Sequence, residues 1–461
     1  MKSDQAQGRK TEAEGERGAL QIDPLSMCPP LGAIYASQGI HACMPHSHGA
    51  SGCCRFQRME LGRHFQKTIR VASSLLKESS AIFGGEKDCL FAVENVFRLY
   101  APDMLALHST CLSETIGDDL QWLASKADVP SGKHLVVVST PGYVGSHLTG
   151  YADLLSAVVA QVVREPRNRN DSLCLMPGLL NPSDVAELKR YAAPFFDTVI
   201  TFPDVCGVLD VKTPRDVKSY CPGGTSCDAI ETLAESGAVI ALGRECTFDA
   251  ASALCELGRI DRRASLPIPV GIEGTDEWIK RLRAFSGREV PKSFGEERQR
   301  TIDVLMKVHP IFFGCRAAVS CDADLSVPLV SFLAGVGIVP VYVATGRGGS
   351  RFVDDVSRAL VRYGLEGTVL AESDRYDLER FLERHEVDVI IGSSREKIVA
   401  ARRGIPLMRI GFPVSDRPLC GLWPIVGYRG CLNLLRSVAD VLLHHRESRI
   451  DPENLAIARY F

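Results

Sequence analysis

Several common machineries are missing from this chain of 461 residues. No GxxxxGK[ST] loop occurs, so the chain lacks the phosphate cradle of the nucleotide hydrolases that depend on it. No CxxC pair occurs either, so short-range spacing points to no zinc ribbon or thioredoxin-like dithiol. Basic surplus is absent: 53 Lys and Arg stand against 56 Asp and Glu, leaving a net charge of −3, which argues against a nucleic-acid partner. The opening MKSDQAQGRKTEAEGERGAL has no apolar core of the signal-peptide kind. It reads as a disordered tail over residues 1–20 and implies a reducing, cytoplasmic location. No Ser–His–Asp or Cys–His catalytic set can be assembled, and no internal repeat is visible.

A membrane span is also excluded. The longest uncharged run, LSVPLVSFLAGVGIVPVYVATG at 325–346, has the length of a span. Pro328, Gly335, Gly337 and Pro340 interrupt it, and its β-branched residues gather in the second half. A helix, a glycine turn and a buried strand account for it better.

What is present is an α/β rhythm. Apolar runs at 103–109, 134–139, 171–176, 197–201, 238–242, 315–319, 339–344, 367–371, 387–391 and 407–411 read as strands. Helical patterns such as RFVDDVSRALVRYGL, RYDLERFLERHE and NLLRSVADVLLHHRES lie between or after them. Short apolar strands alternating with helices of this length indicate parallel sheets covered on both faces. The fold class is therefore α/β, with doubly wound Rossmann-like sheets in series. Polar stretches at 164–171 and 286–300 suggest a cluster-binding domain over 21–165, a middle domain over 166–298, and a C-terminal domain with a closing helix over 299–461.

Sixteen cysteines are present, and most read as buried apolar thiols. Three stand apart by their setting. Cys28 precedes two prolines in DPLSMCPPLGA, Cys53 follows Gly52 in MPHSHGASGCC, and Cys111 ends an apolar run in LALHSTCLSETIGDDL. Loop cysteines gathered from distant positions are a common way to hold an iron–sulfur cluster, whose standard ligands are thiolates. In such folds ligands gather at the carboxyl ends of the strands, so Cys111 and the loop TPGYVGSH (140–147) are candidates to line one crevice.

Other features admit two readings each. His41, Cys43, His46 and His48 have zinc-ligand chemistry, yet fit no standard zinc spacing and read as hydrogen-bonding histidines of a tight loop. TGRGGSR at 345–351 could cradle an anion or be a bare turn. Glu114, Asp118 and Asp119 could do proton chemistry, but fit equally the start of a helix. Phe83, before two glycines in SSAIFGGEKD, reads as a docking anchor or as a buried aromatic.

These same segments, with TPGYVGSHLTGY, VGIEGTDEW, VDVIIGSS and RIGFPVSDR, resemble the β-type subunit of nitrogenase component 1. That resemblance implies three Rossmann-like domains and an oxidoreductase built as an α2β2 heterotetramer with an α-type subunit. It also implies an eight-iron, seven-sulfur P-cluster at the interface, held on this side by Cys28, Cys53 and Cys111, whose separations of 25 and 58 residues match the family's. By the same resemblance, electrons come from an ATP-hydrolysing iron protein docking at Phe83 and Glu78. They pass to a substrate-reducing cofactor in the partner chain. Two departures stand out: the family's TPSF loop reads TPGY here, with Gly142 in place of serine, and the middle third and overall length depart from the molybdenum type. They tilt the expected substrate toward methylthio-alkanes, as in the related carbon–sulfur-cleaving reductases. A dinitrogen-fixing β-subunit and a cofactor-assembly scaffold are the alternatives.

Overall fold

The computed structural model describes Ile22 and residues 24–450; the tail expected over 1–20 lies outside the described residues. Thirteen strands among the described residues form three sheets in which every pairing is parallel. The first holds β1 (Cys43–His48), β2 (Ala72–Ser73), β3 (Met104–Ser109) and β4 (His134–Val138), in the order β2-β1-β3-β4. The second holds β5 (Leu173–Met176), β6 (Val199–Thr201), β7 (Ala238–Leu242) and β8 (Arg263–Leu266), in the order β6-β5-β7-β8. The third holds β9 (Arg316–Ser320), β10 (Val339–Ala344), β11 (Thr368–Leu370), β12 (Val389–Gly392) and β13 (Leu407–Arg409), in the order β11-β10-β9-β12-β13. Each expected domain range contains one sheet; the boundaries between the ranges remain a proposal.

All ten strands expected from the apolar runs are present. The segment 325–346 is the helix Ala323–Gly335, a turn and β10, and no helix among the described residues is long and apolar enough to cross a membrane. One reading was wrong. The histidine segment CMPHSH is not a tight loop but β1, buried along its whole length at the centre of the first sheet. Its polar residues hid it, because a strand covered on both faces normally announces itself by apolar side chains.

The strand order fixes where a site can form. In the first sheet the chain leaves β1 toward one side and β3 toward the other, so a crevice opens between their carboxyl ends. The helix Pro29–Gln38 passes beside this sheet, buried at nearly every residue. It crosses the helix His147–Val162 at very short range. A Cβ on Gly32 would lie 1.7 Å from the His147 carbonyl oxygen, and one on Gly150 would lie 1.9 Å from that of Pro29. Only two glycines permit this crossing, and the packing seals Leu31, Ile34, Tyr35, Leu154 and Val158 from water. Each such aliphatic side chain contributes about 1.5–3 kcal/mol by burial. The crossing thereby pins the N-terminus of the first helix, where Cys28 sits.

Candidate metal-cluster site

The three cysteines each occupy the start of a helix. Cys28 is the N-cap of Pro29–Gln38, whose first two positions are prolines that need no N–H partner. Cys53 lies in the first turn of Ser51–Phe65, five residues beyond the end of β1. Cys111 is the first residue of Cys111–Ile116, two beyond the end of β3. β1 and β3 are neighbours at the crevice, so the topology brings residues 58 apart in sequence to one place. Free N–H groups at a helix start favour a thiolate.

Gly142, in the loop after β4, closes the group. A Cβ placed on it would lie 2.6 Å from Cys111 Sγ and 3.7 Å from Cys28 Cβ. The expectation that Cys111 and the 140–147 loop line one crevice holds. Burial pushes the Cys28 thiol up to about 11, against a backbone N–H from Leu31 that lowers it, with nearby Cys111 and Cys53 adding to the rise. Burial, then Cys111, raises the Cys53 thiol too. Thiols grouped in this way suit a polynuclear cation, which deprotonates them on binding.

Cys53 and Cys111 are exposed and Cys28 is half-buried, so the trio faces outward. Among the described residues no three His, Cys, Asp or Glu side chains are close enough to hold a single metal ion. The thiols lie on an open face that needs a second surface to close it. They fit half of an iron–sulfur site. Cys54, by contrast, turns inward and is buried, its Sγ 3.9 Å from the carbonyls of Val71 and Ala72.

The remaining candidates resolve one by one. The four-residue zinc set does not converge: His41 bonds the Gly223 carbonyl, His46 and His48 bond Ser74 Oγ, and Cys43 is buried on the sheet face opposite those two histidines. Asp119 starts a helix as expected, accepting the Trp122 N–H at 3.0 Å. Glu114 accepts from the hydroxyls of Ser109 and Ser139, tying the ends of β3 and β4 together. Asp118 does neither of the expected jobs; its carboxylate accepts from His48 Nε2 at 2.8 Å and from the Gly85 N–H at 3.0 Å. No local signal announces this pair, which is 70 residues apart. TGRGGSR forms the turn between β10 and the helix Gly349–Arg362, with Arg347 donating to the Gly145 carbonyl. Phe83 is 86 % exposed, at the end of the helix Glu78–Phe83, so the buried reading fails; Glu78 is exposed at the other end.

Three parallel Rossmann-like layers carrying an outward-facing trio of thiols at helix starts define a metallocluster-holding α/β protein. Residues 28–443 match the family described as nitrogenase component 1 type oxidoreductase, and the chain belongs to that family. It is 36 % identical to the nitrogenase molybdenum-iron protein beta chain of Clostridium pasteurianum over 96 % of this chain and 98 % of that one. It is 31 % identical to the chain of the same name from Methanothermobacter marburgensis, over 93 % and 96 %. A solved chain of nitrogenase Cp1 at pH 6.5 superposes with a TM-score of 0.91 at 36 % identity, covering 95 % of this chain and 97 % of the other. A further nitrogenase Cp1 chain superposes with a TM-score of 0.72 at 16 % identity, a likeness of fold alone. The near-complete overlap with the Clostridium chain shows that this length occurs among molybdenum-iron beta chains, while others extend further. The protein is a β-type subunit of a component 1 oxidoreductase. Its family carries a P-cluster, a further cofactor in the partner chain, an α2β2 assembly and an encounter with the iron protein.

Proposed function

We propose that Cys28, Cys53 and Cys111 provide this chain's half of the interfacial P-cluster, and that Phe83 and Glu78 lie on the face that receives the iron protein. The observation that carries this is the meeting of Cys28 and Cys111 beside Gly142 on an open face, with Cys53 close enough to act electrostatically on Cys28. When bound, the cluster supplies one-electron carriage between the iron protein and the partner chain's cofactor. The chain's own residues do the rest. The helix start at Cys28 brings the Leu31 N–H to its sulfur, and hydrogen bonds of that kind set a cluster's potential. Gly142 offers no side-chain oxygen, so ligation on this side rests on thiolates in every oxidation state. Phe83, flanked by Ile82 at 75 % exposure, offers the apolar anchor that a transient partner buries.

The relatives' names favour dinitrogen as the substrate of the complex, since both curated chains are molybdenum-iron nitrogenase subunits. Reduction of methylthio-alkanes rests on the Gly142 departure alone, and is the lesser reading. A cofactor-assembly scaffold is disfavoured by retention of all three cysteines. The test is purification of the chain with its α-type partner and the iron protein, followed by turnover with dinitrogen and with a methylthio-alkane. Ammonia at a substantial rate supports the reading. Methane or another alkane released from the thioether, with no ammonia, overturns its substrate. In parallel, Cys53→Ala and Cys111→Ala should abolish the cluster's paramagnetic resonance signals, and intact signals would refute the ligand assignment.

A further inference from the structure

We propose that Asp118 is a positioning residue that ties the iron-protein docking corner to the two segments presenting Cys53 and Cys111. This rests on the docking reading of Phe83 given above.

The docking corner is short, and Ser80 Oγ ties its helix to Asp88 of the next one. Phe83 ends a six-residue helix, and Gly84 and Gly85 follow before the helix Glu86–Tyr100 begins. The Gly85 N–H reaches Asp118 Oδ1 at 3.0 Å. Asp118 stands just past the helix that begins with Cys111, and its own N–H caps that helix at the Ser113 carbonyl. Its other oxygen takes a hydrogen bond from His48 Nε2 at 2.8 Å, with side-chain exposures of 3 % for Asp118 and 0 % for His48. His48 ends β1, from which the chain runs directly to Cys53. The His48 carbonyl accepts from Thr110 Oγ1, one residue before Cys111. One carboxylate thus touches the docking corner, the Cys53 segment and the Cys111 segment at once.

The hydrogen bonds also have a direction. A carboxylate can only accept, so His48 carries its proton on Nε2 and leaves Nδ1 as an acceptor. Ser74 Oγ, 2.9 Å away, must therefore donate to Nδ1, and it receives in turn from His46 Nε2 at 2.8 Å. His46 Nδ1 finds no hydrogen-bond partner among the described residues, so nothing there competes with a neutral ring protonated on Nε2. His46, Ser74, His48 and Asp118 all point one way and converge on the carboxylate, and in a dry interior such chains stiffen one another. The pairing has the build of a rigid strut rather than of a solvated surface contact.

The experiment uses the assembled complex with its metalloclusters and the iron protein. Iron-protein affinity and single-turnover electron delivery are measured for Asp118→Ala, Asp118→Asn and Phe83→Ala, alone and with Asp118→Ala. Cluster resonance signals and reduction by a low-potential metal chelate serve as the readout that bypasses docking. Asp118→Ala should weaken docking about tenfold, the scale of one lost charge-assisted hydrogen bond. Chelate reduction and cluster signals should remain as in the parent. Asp118→Asn, whose amide oxygen still accepts the Gly85 N–H, should lose less. The double variant should lose little beyond Phe83→Ala, because both act on one contact. Parent-like docking in Asp118→Ala overturns the proposal, and so does a matching loss of cluster signals, which would place the residue's role at the cluster. Unchanged docking in Phe83→Ala overturns the docking reading itself and this proposal with it.

Discussion

At the scale of single residues, the site turns on what is small and what is neutral. Gly142 leaves the Cys111 thiol room in its present position: a Cβ there would stand 2.6 Å from Cys111 Sγ, well inside van der Waals contact. Gly142→Ala should therefore displace the thiol and lower the iron bound per chain, read by iron analysis and cluster resonance signals; full iron content would contradict it. The histidines are neutral because they are buried. Burial holds His46 and His108 down to about 3 and His64 to about 4, with neighbouring histidines adding to the effect at His46. Folded values below the unfolded value of about 6.5 mean that the unfolded chain takes up protons first as pH falls. Stability is then complete above about pH 6.5 and declines below it, by up to about 1.4 kcal/mol per pH unit for each histidine. The thermal midpoint should fall between pH 6.5 and 5, before ordinary carboxylates titrate. Calorimetry showing a flat midpoint across that window would refute the neutral assignment.

At the scale of elements, the proposed ligands sit at helix starts, and the shortest of these helices needs external support. Cys111–Ile116 has only six residues, too few to be stable by itself. Ser113 Oγ accepts the Thr110 N–H at 2.9 Å, inside a fully buried environment. Ser113→Ala leaves that donor unpaired, so it should cost about 1–3 kcal/mol and loosen the Cys111 turn. The denaturation midpoint and the cluster occupancy should fall together; a drop in neither would show that the turn is held elsewhere. This is also where legibility in the sequence ran out. Apolar runs gave away ten strands because burial on both faces demands apolar side chains. β1 escaped because His46, Ser47 and His48 satisfy their polarity through Ser74, Gln57 and Asp118, partners up to 70 residues away. The meeting of Cys111 with the 140–147 loop was legible, because both follow neighbouring strands of one sheet. The Asp118–His48 pair was not, since each half has an ordinary local explanation.

At the scale of the whole molecule, the chain is complete as a fold and incomplete as a site. Its three sheets bury their own cores, yet the thiol trio opens outward with an apolar rim around it. Phe56 stands one helical turn beyond Cys53, Met59 follows on the same helix, and Tyr143 and Val144 come directly after Gly142; all four are exposed. Large apolar side chains beside an open group of thiols are what a partner surface covers, and aromatic residues at such a centre carry much of the binding energy. The α-type subunit is the occupant that family membership supplies. Tyr143→Asp places a charge at that rim, and burying an unpaired charge is strongly unfavourable. Sedimentation of the variant co-produced with its partner should therefore show a large shift from α2β2 toward separate chains. The separated chains should lack the cluster, because neither half closes it. An intact tetramer with a full complement of iron would mean that Tyr143 lies outside the interface, and that the thiols meet their partner from another direction.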